Sequence, residues 1–230
     1  MLPVEDFFRQ GTLAFAFAWR LLMAEFLNLD RLHAATLATE PYEYVIVPNF
    51  VQQTALTAIA PEYPKIEQGG SFPLNSLTYG ETFERFCREL ESEELRAAFA
   101  EKFGMDLTDR PTTLTVRGRC RMKDGKVHTD SRSKLVTVLV YLNDTWDECG
   151  GRLRLLRSND IEDVIEEAPP ELGTMIAFIN RENAWHGHLP FDGERRVLQL
   201  NWVLSDAAVK RSERRHGWSA WIKSLVKRAA

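Results

Sequence analysis

Apolar side chains recur every three to four residues along much of the first half of the chain, a spacing typical of amphipathic helices. The pattern predicts helices over 81–92 and 93–104, the second ending at Gly104, a residue suited to a helix C-terminus. QQTALTAIA (52–60) predicts a further helix. The first part of the chain is therefore expected to be mostly helical.

Two short segments interrupt this helical pattern. PYEYVIVPNF (41–50) is a β-rich run that Pro48 closes. QGGSFPLNS (68–76) is rich in Gly, Ser and Pro, and it predicts a loop of the kind that forms a surface lid or edge.

From Pro111 onwards the pattern changes to short runs rich in β-branched residues, separated by turn signals such as KDGK, DECGG, PPELG and FDGE. About six to eight closely spaced strands after a helical part predict a mainly β core with flanking helices, α+β overall. Hairpin-spaced strands favour a sandwich or barrel such as a jelly roll. The predicted strands are TTLTVRGRCRM (112–122), KLVTVLVYLN (134–143), GRLRLLR (151–157), EDVIEE (162–167), GTMIAFIN (173–180) and RRVLQLNWVL (195–204).

These patterns predict one domain over 1–230, and its 230 residues are enough to bury a core. A mostly helical N-terminal layer covers 1–110 and the β core covers 111–205. A basic helix follows over 206–230.

The bulk composition is that of an ordinary globular protein, with 44% hydrophobic and 27% charged residues. The formal net charge of −4 does not favour nucleic acid, and we expect no nucleic-acid partner. The three cysteines are odd in number and lack CxxC spacing, which argues against a disulfide framework or a cysteine zinc site. A reducing, cytoplasmic compartment is therefore expected.

Both ends of the chain carry a distinctive segment. GTLAFAFAWRLLMAEFL (11–27) has neither the basic flank of a signal peptide nor an uninterrupted apolar run, since Arg20 and Glu25 fall within it. We expect no membrane partner and an apolar helix that packs on the domain or on another subunit. The basic segment 206–230 predicts either a solvated helix face or a surface for an anionic partner. Together the two terminal helices predict a possible homodimer or docking surface.

The candidate chemistry begins at KVHTDSRSK. His128 and Asp130 are two residues apart, so on an extended strand both project to the same side. Two histidines and one carboxylate on one face of an octahedron form the ligand set of non-haem Fe(II) oxygenases. A second histidine, His186, lies at the start of a later strand region, and an arginine pair follows it.

The alternation of the last strand separates the two arginines of that pair. Arg195, Val197, Gln199 and Asn201 share one face, which is mixed and polar and suits a wet cavity that holds an anion. The opposite face begins with Arg196 and continues with large apolar residues suited to packing against helices. Arg195 is therefore expected to point inward and Arg196 outward.

The ordered set VHTD, VYLND, CGGRLRLL, ELGTMIAFIN, WHGH and ERRVLQLNW resembles the prolyl 4-hydroxylase-like 2-oxoglutarate/Fe(II)-dependent dioxygenases, with PYEYVIVPNF similar to the lead-in of bacterial members. The resemblance covers about 110–205. It implies a double-stranded β-helix, or jelly-roll/cupin-like, catalytic core. It also implies a hydroxylase that binds Fe(II), 2-oxoglutarate and O2 and releases succinate and CO2. Ascorbate is a further candidate cofactor.

The resemblance also assigns roles to residues. It implies that His128, Asp130 and His186 ligate the iron. Arg195 holds the far carboxylate of 2-oxoglutarate, a role that suits a planar guanidinium, and Tyr141 donates its hydroxyl to the same carboxylate. Arg195 in a structural salt bridge and Tyr141 as a plain core residue are the alternatives.

Several alternatives stay open at the level of sequence. His188 is two residues from His186 and is therefore expected on the same face of the strand. It either reaches the pocket or is partly exposed and has no role in the site. RGRCRMKDGK lacks the tyrosines of several prolyl hydroxylases, so the small-molecule or peptide substrate is unidentified. Its cations form either a basic approach that favours an anionic substrate or an outer strand face. A non-catalytic cupin-like module that binds metal or an anion is the alternative function.

Overall fold

The computed structural model describes residues 25–212 and residue 214. The helices lie mainly before residue 104, as the apolar spacing predicts. They are α1 (Leu29–Ala34), α2 (Gln53–Ile59), α3 (Glu81–Leu90) and α4 (Glu93–Phe103), with short 3-10 turns at Ala60–Glu62 and Leu74–Ser76; residues 206–212 are also helical.

Local sequence explains where α4 begins and ends. The Ser92 hydroxyl accepts a hydrogen bond from the backbone N–H of Leu95 at 3.2 Å, which satisfies one of the free donors of the first turn. Gly104 ends the helix in the left-handed region, at φ 61°, where a side chain would be strained.

Nine strands form two sheets. The strands are β1 (Tyr44–Val47), β2 (Phe72–Pro73), β3 (Thr112–Cys120), β4 (Lys134–Tyr141), β5 (Leu153–Leu156), β6 (Val164–Ala168), β7 (Met175–Ile179), β8 (Trp185–Gly187) and β9 (Gly193–Val203). The major sheet has the order β1-β7-β4-β9-β3-β2, and the minor sheet has the order β6-β5-β8. All pairings within both sheets are antiparallel.

The predicted first part contributes to the major sheet at both of its edges. β1 pairs with β7, with Val45 opposite Ala177, and the predicted loop 68–76 supplies β2, which pairs with β3. The helical layer and the β core therefore share one sheet.

The outer face of the major sheet packs against the helices. Leu198, Leu200 and Trp202 of β9 are at most 1% exposed and belong to one apolar cluster with residues of α2, α3 and α4. The Trp202 ring lies 5.0 Å from the ring of Phe99 on α4. Burial of this face stabilises the fold in proportion to the apolar area removed from water.

The inner face of the major sheet faces the minor sheet. Tyr141 and Phe178 of the major sheet join Leu153 and Leu155 of the minor sheet in a second apolar cluster. Beside this cluster the two sheets leave a cavity of about 250 Å³. Facing antiparallel sheets around a central cavity form the double-stranded β-helix that the resemblance implies.

The terminal predictions fall largely outside the described residues. The apolar segment 11–27 is described only from residue 25, and the basic segment is described only to residue 212 and at residue 214. In the described part of the chain, no helix combines the length and the apolar character that a membrane span requires.

Candidate active site

A pair of backbone hydrogen bonds brings two distant histidines together. The N–H of His128 donates to the carbonyl of His186 and the N–H of His186 donates to the carbonyl of His128, both at 3.0 Å. This exchange is the hydrogen-bonded pair of an antiparallel ladder, in which side chains of opposite residues lie on the same face. The two imidazole ring centroids are 4.4 Å apart.

Each imidazole has one nitrogen engaged and one available. Nδ1 of His128 lies 2.8 Å from the carbonyl oxygen of Lys126, and Nδ1 of His186 lies 3.0 Å from that of Ala184. Because a carbonyl only accepts, each neutral ring places its proton on Nδ1 and leaves a lone pair on Nε2. Metal-bound histidines are oriented in this way in proteins.

Asp130 supplies the third donor group. One donor atom each from His128, Asp130 and His186 lies within 4.8 Å of the others, and this is the one such metal-binding group among the described residues. Two imidazoles and one carboxylate on a single side of the site match the donor set of a non-haem ferrous ion. These residues therefore fit iron chemically and in their spacing.

Neighbouring groups hold the Asp130 carboxylate in its ionised form. The ammonium of Lys134 donates to Oδ1 at 2.7 Å, and the hydroxyl of Thr137 donates to Oδ2 at 2.6 Å. Burial alone would raise the pKa of Asp130, but the Lys134 charge, the neighbouring His186 ring and these two hydrogen bonds outweigh it and lower the pKa to about 2. Oγ1 of Thr137 also lies 3.1 Å from Oδ1 of Asn201 on β9.

Burial keeps His186 neutral. The residue is 6% exposed, and desolvation lowers its pKa to about 4 although the Asp130 charge acts in the opposite direction. A neutral imidazole binds a metal without first releasing a proton.

The opposite end of the cavity holds a buried cation beside a phenol. Arg195 is 4% exposed, its Nε donates to the carbonyl of Gly151 at 2.8 Å, and one terminal N–H₂ donates to the Tyr141 hydroxyl at 3.2 Å. The Gly151 carbonyl belongs to the predicted CGGRLRLL turn, where a left-handed φ of 75° and the nearby Trp146 ring leave no room for a side chain. Arg195 keeps further N–H donors for an anion in the cavity.

The two arginines lie where the strand alternation placed them. Arg195 lines the cavity together with Val197, Gln199 and Asn201. Arg196 lies on the other face, where it pairs with Glu194 and its guanidinium carbon is 5.6 Å from the centroid of the Tyr63 ring. Tyr141 is fully buried and contacts the Arg195 guanidinium instead of lining the open space.

His188, left undecided by the sequence, does line the cavity. It is 8% exposed, its Nδ1 lies 2.8 Å from the carbonyl oxygen of Leu189, and its Nε2 lies 3.9 Å from the thiol of Cys120. Burial first and the charge of Arg195 second lower its pKa to about 4. His188 is thus a neutral residue in the cavity wall near the Arg195 end, and it does not belong to the group of three metal-donor residues.

Sequence reasoning missed Lys134. Parity along β4 places Lys134 with Val136 on the outer face, yet the pairing register with β9 shifts between these two residues, and Lys134 lines the cavity. The shift is a bulge, which reverses which face a side chain occupies. Sequence alternation contains no signal for it.

The basic residues that precede His128 in the sequence lie partly in the cavity wall and partly at the outer surface. Arg117 lines the cavity and pairs with Asp124 at 3.1 Å. Arg119 pairs with Asp192 at 2.6 Å outside the cavity, and Lys123 is exposed. The stretch is therefore partly cavity wall and partly outer surface.

One protein-family model matches part of the chain. Residues 119–204 match the family model of the 2OG-Fe(II) oxygenase superfamily, a span that includes all five residues discussed as metal or oxo-acid ligands. A search of curated protein sequences finds no match to the chain.

Several solved structures are similar to the chain. A Pseudomonas putida prolyl-4-hydroxylase is 17% identical over 77% of this chain and 93% of its own, with a TM-score of 0.51. HygX from Streptomyces hygroscopicus, solved with nickel and 2-oxoglutarate bound, is 14% identical over 70% of this chain and 83% of its own, with a TM-score of 0.48. A Trichoplax adhaerens prolyl hydroxylase in complex with a hypoxia inducible factor peptide is 16% identical over 80% of this chain and 92% of its own, with a TM-score of 0.48. The first of the three demonstrates a shared double-stranded β-helix fold.

Proposed function

We propose that the chain is a member of the 2OG-Fe(II) oxygenase superfamily, in which His128, Asp130 and His186 hold the iron and Arg195, positioned by the Tyr141 hydroxyl, holds 2-oxoglutarate. Its activity is that of a 2-oxoglutarate- and Fe(II)-dependent dioxygenase. The enzyme hydroxylates a C–H bond of its substrate and releases succinate and CO2.

One observation carries the proposal. A single cavity has a two-histidine, one-carboxylate group in one part of its wall and a buried guanidinium in another. The first suits a ferrous ion, and the second suits a carboxylate. 2-Oxoglutarate needs both, because its keto acid end chelates a metal and its far end is a carboxylate.

Bound iron and 2-oxoglutarate would supply oxygen activation. One atom of O2 would enter succinate as CO2 leaves, and the other would be inserted into a C–H bond of the substrate. The protein's own residues fix the geometry. The carbonyls of Lys126 and Ala184 orient the two imidazoles, and Thr137 and Lys134 orient the Asp130 carboxylate.

The Arg195 end of the cavity favours a co-substrate that carries a carboxylate. Its Nε is held by Gly151 and one N–H₂ by Tyr141, so the guanidinium plane is fixed before an anion arrives. A fixed, buried fork binds a carboxylate through two parallel hydrogen bonds, and little entropy is lost when they form.

The cellular location is also part of the proposal. Cys87, Cys120 and Cys149 are all free, two of them buried and one exposed. Unpaired cysteines support a reducing compartment such as the cytoplasm.

Anaerobic spectroscopy with ferrous iron and 2-oxoglutarate tests this function. We expect a weak visible charge-transfer band and, once oxygen is admitted, release of succinate. His128→Ala should lose both signals because one of three metal ligands is gone. His33→Ala is the matched control, since His33 lies on α1 away from the cavity, and it should retain both.

Two results would contradict the proposal. Wild-type protein that binds no ferrous iron excludes a metal role for the three residues. Stoichiometric metal binding without 2-oxoglutarate binding favours the cupin-like, non-catalytic alternative.

A further inference from the structure

The cavity wall carries more cationic than anionic side chains. Among the described residues of its wall, three are permanent cations and one is a carboxylate. The cations are Arg117, Lys134 and Arg195, and the carboxylate is Asp130.

Each of these cations has a different partner. Arg117 is paired with Asp124 just outside the wall, at 3.1 Å. Arg195 is held by neutral groups and is free to receive an anion. Lys134 is paired with Asp130 at 2.7 Å, and its side chain is 14% exposed.

Loading of the site changes this distribution. A ferrous dication and the dianion of 2-oxoglutarate neutralise each other, and the charges of Asp130 and Arg195 also cancel. A bound metal would share the Asp130 carboxylate with Lys134 and draw on its negative charge, so Lys134 would be the cation without a full counter-charge. A poorly solvated cation is costly unless an anion pairs with it.

We propose that the substrate of this enzyme carries an oxyanion, a carboxylate or a phosphate group, which pairs with the ammonium of Lys134 beside the metal site. This inference rests on the proposed function, because a metal bound by Asp130 is what would draw its negative charge away from Lys134. Neutral polar side chains near Lys134 complete a polar surface for such a substrate: Thr137 and Asn201, with Gln199 one row further along β9.

The position of Lys134 makes it suited to substrate and not to co-substrate. Lys134 opens β4, whereas Tyr141 closes the same strand beside Arg195. Lys134 therefore contacts the metal-donor residue Asp130, whereas Arg195 contacts Tyr141 at the other end of the strand. One anion at each end fits a co-substrate and a substrate held in one cavity.

Binding measurements with matched probe pairs test this proposal. The full-length protein is loaded with Mn(II) and saturating 2-oxoglutarate without oxygen, and its 2-oxoglutarate affinity is measured first. Probes are then titrated as pairs that differ in one group: N-acetyl amino acids and hydroxy acids against their amides, and sugar phosphates against the free sugars. The carboxylate and phosphate arms distinguish the two sources of the oxyanion.

We expect the anionic member of at least one pair to bind about tenfold or more tightly than its neutral partner, since charge-assisted hydrogen bonds reach that size. Lys134→Met should abolish the difference, and Lys134→Arg should retain most of it. Arg132→Met is the matched control, because Arg132 is 90% exposed and pairs with Glu182 at the surface, so it should keep the full preference.

Several outcomes would overturn the inference. They are equal binding of anionic and neutral probes throughout, a preference that survives in Lys134→Met, and anionic probes that act only by displacing 2-oxoglutarate from the Arg195 end. Lack of 2-oxoglutarate binding in the first measurement contradicts the proposed function itself, so the two failures are distinguishable.

Discussion

The two faces of β9 use the same backbone for opposite purposes. The outer face places Leu198, Leu200 and Trp202 against the helices, and all three are almost fully buried in the larger apolar cluster. The inner face places Arg195 and Asn201 in the cavity wall, and both are also buried.

The difference lies in how burial is compensated. On the outer face, burial itself is favourable because apolar area leaves water. On the inner face, each buried polar group needs a partner, and neighbouring residues supply it: Tyr141 and Gly151 for Arg195, and Thr137 and Thr113 for Asn201. Changes on the outer face should therefore affect stability, and changes on the inner face should affect ligand binding.

The largest effect is expected on the outer face. Trp202→Ala should lower the free energy of unfolding by about 3–5 kcal/mol, because it opens a cavity beside Phe99. Urea unfolding followed by tryptophan fluorescence or circular dichroism measures this change. Protein that remains folded should bind 2-oxoglutarate as the wild type does. A large loss of affinity without loss of stability would contradict the division between the faces.

The next effect separates the neighbouring arginines. Arg195→Met should weaken 2-oxoglutarate binding by about 30-fold or more, because a buried, hydrogen-bonded partner of the carboxylate is removed. Arg196→Met is the matched control and should change the affinity little, since Arg196 pairs with Glu194 and stacks over Tyr63 outside the cavity. Calorimetric titration with Mn(II) present compares them, and equal losses in both variants would refute the assignment.

The smallest effect concerns support of the metal site. Thr137→Val should weaken Mn(II) binding by about tenfold, because the hydroxyl that holds Oδ2 of Asp130 is lost while the side-chain shape and the Lys134 contact are kept. Thr137→Ser keeps the hydroxyl and should restore most of the affinity. A metal titration measured by electron spin resonance reports this change directly. Equal affinities of Thr137→Val and wild type would show that Lys134 alone orients the carboxylate.

Sequence alternation predicted the inner and outer faces of β9 correctly because a strand has a period of two that needs no tertiary information. The same reasoning fails at Lys134, where a register shift against β9 moves one side chain to the cavity. It also leaves His188 and Arg117 undecided, since parity shows a direction but not what lies opposite. Both residues line the cavity because the minor sheet and the 121–127 segment close over the inner face.

The sequence by itself determined the types and local spacing of the chemical groups: an imidazole two residues from a carboxylate, a later histidine, and an arginine on the polar face of a strand. These are properties of neighbours along the chain, and backbone geometry alone controls them. Only the tertiary structure decided that His128 and His186 meet through two backbone hydrogen bonds, and that Lys134 shares Asp130 with the proposed metal. Long-range strand pairing and a bulge control these contacts, and neither has a local signature in the sequence.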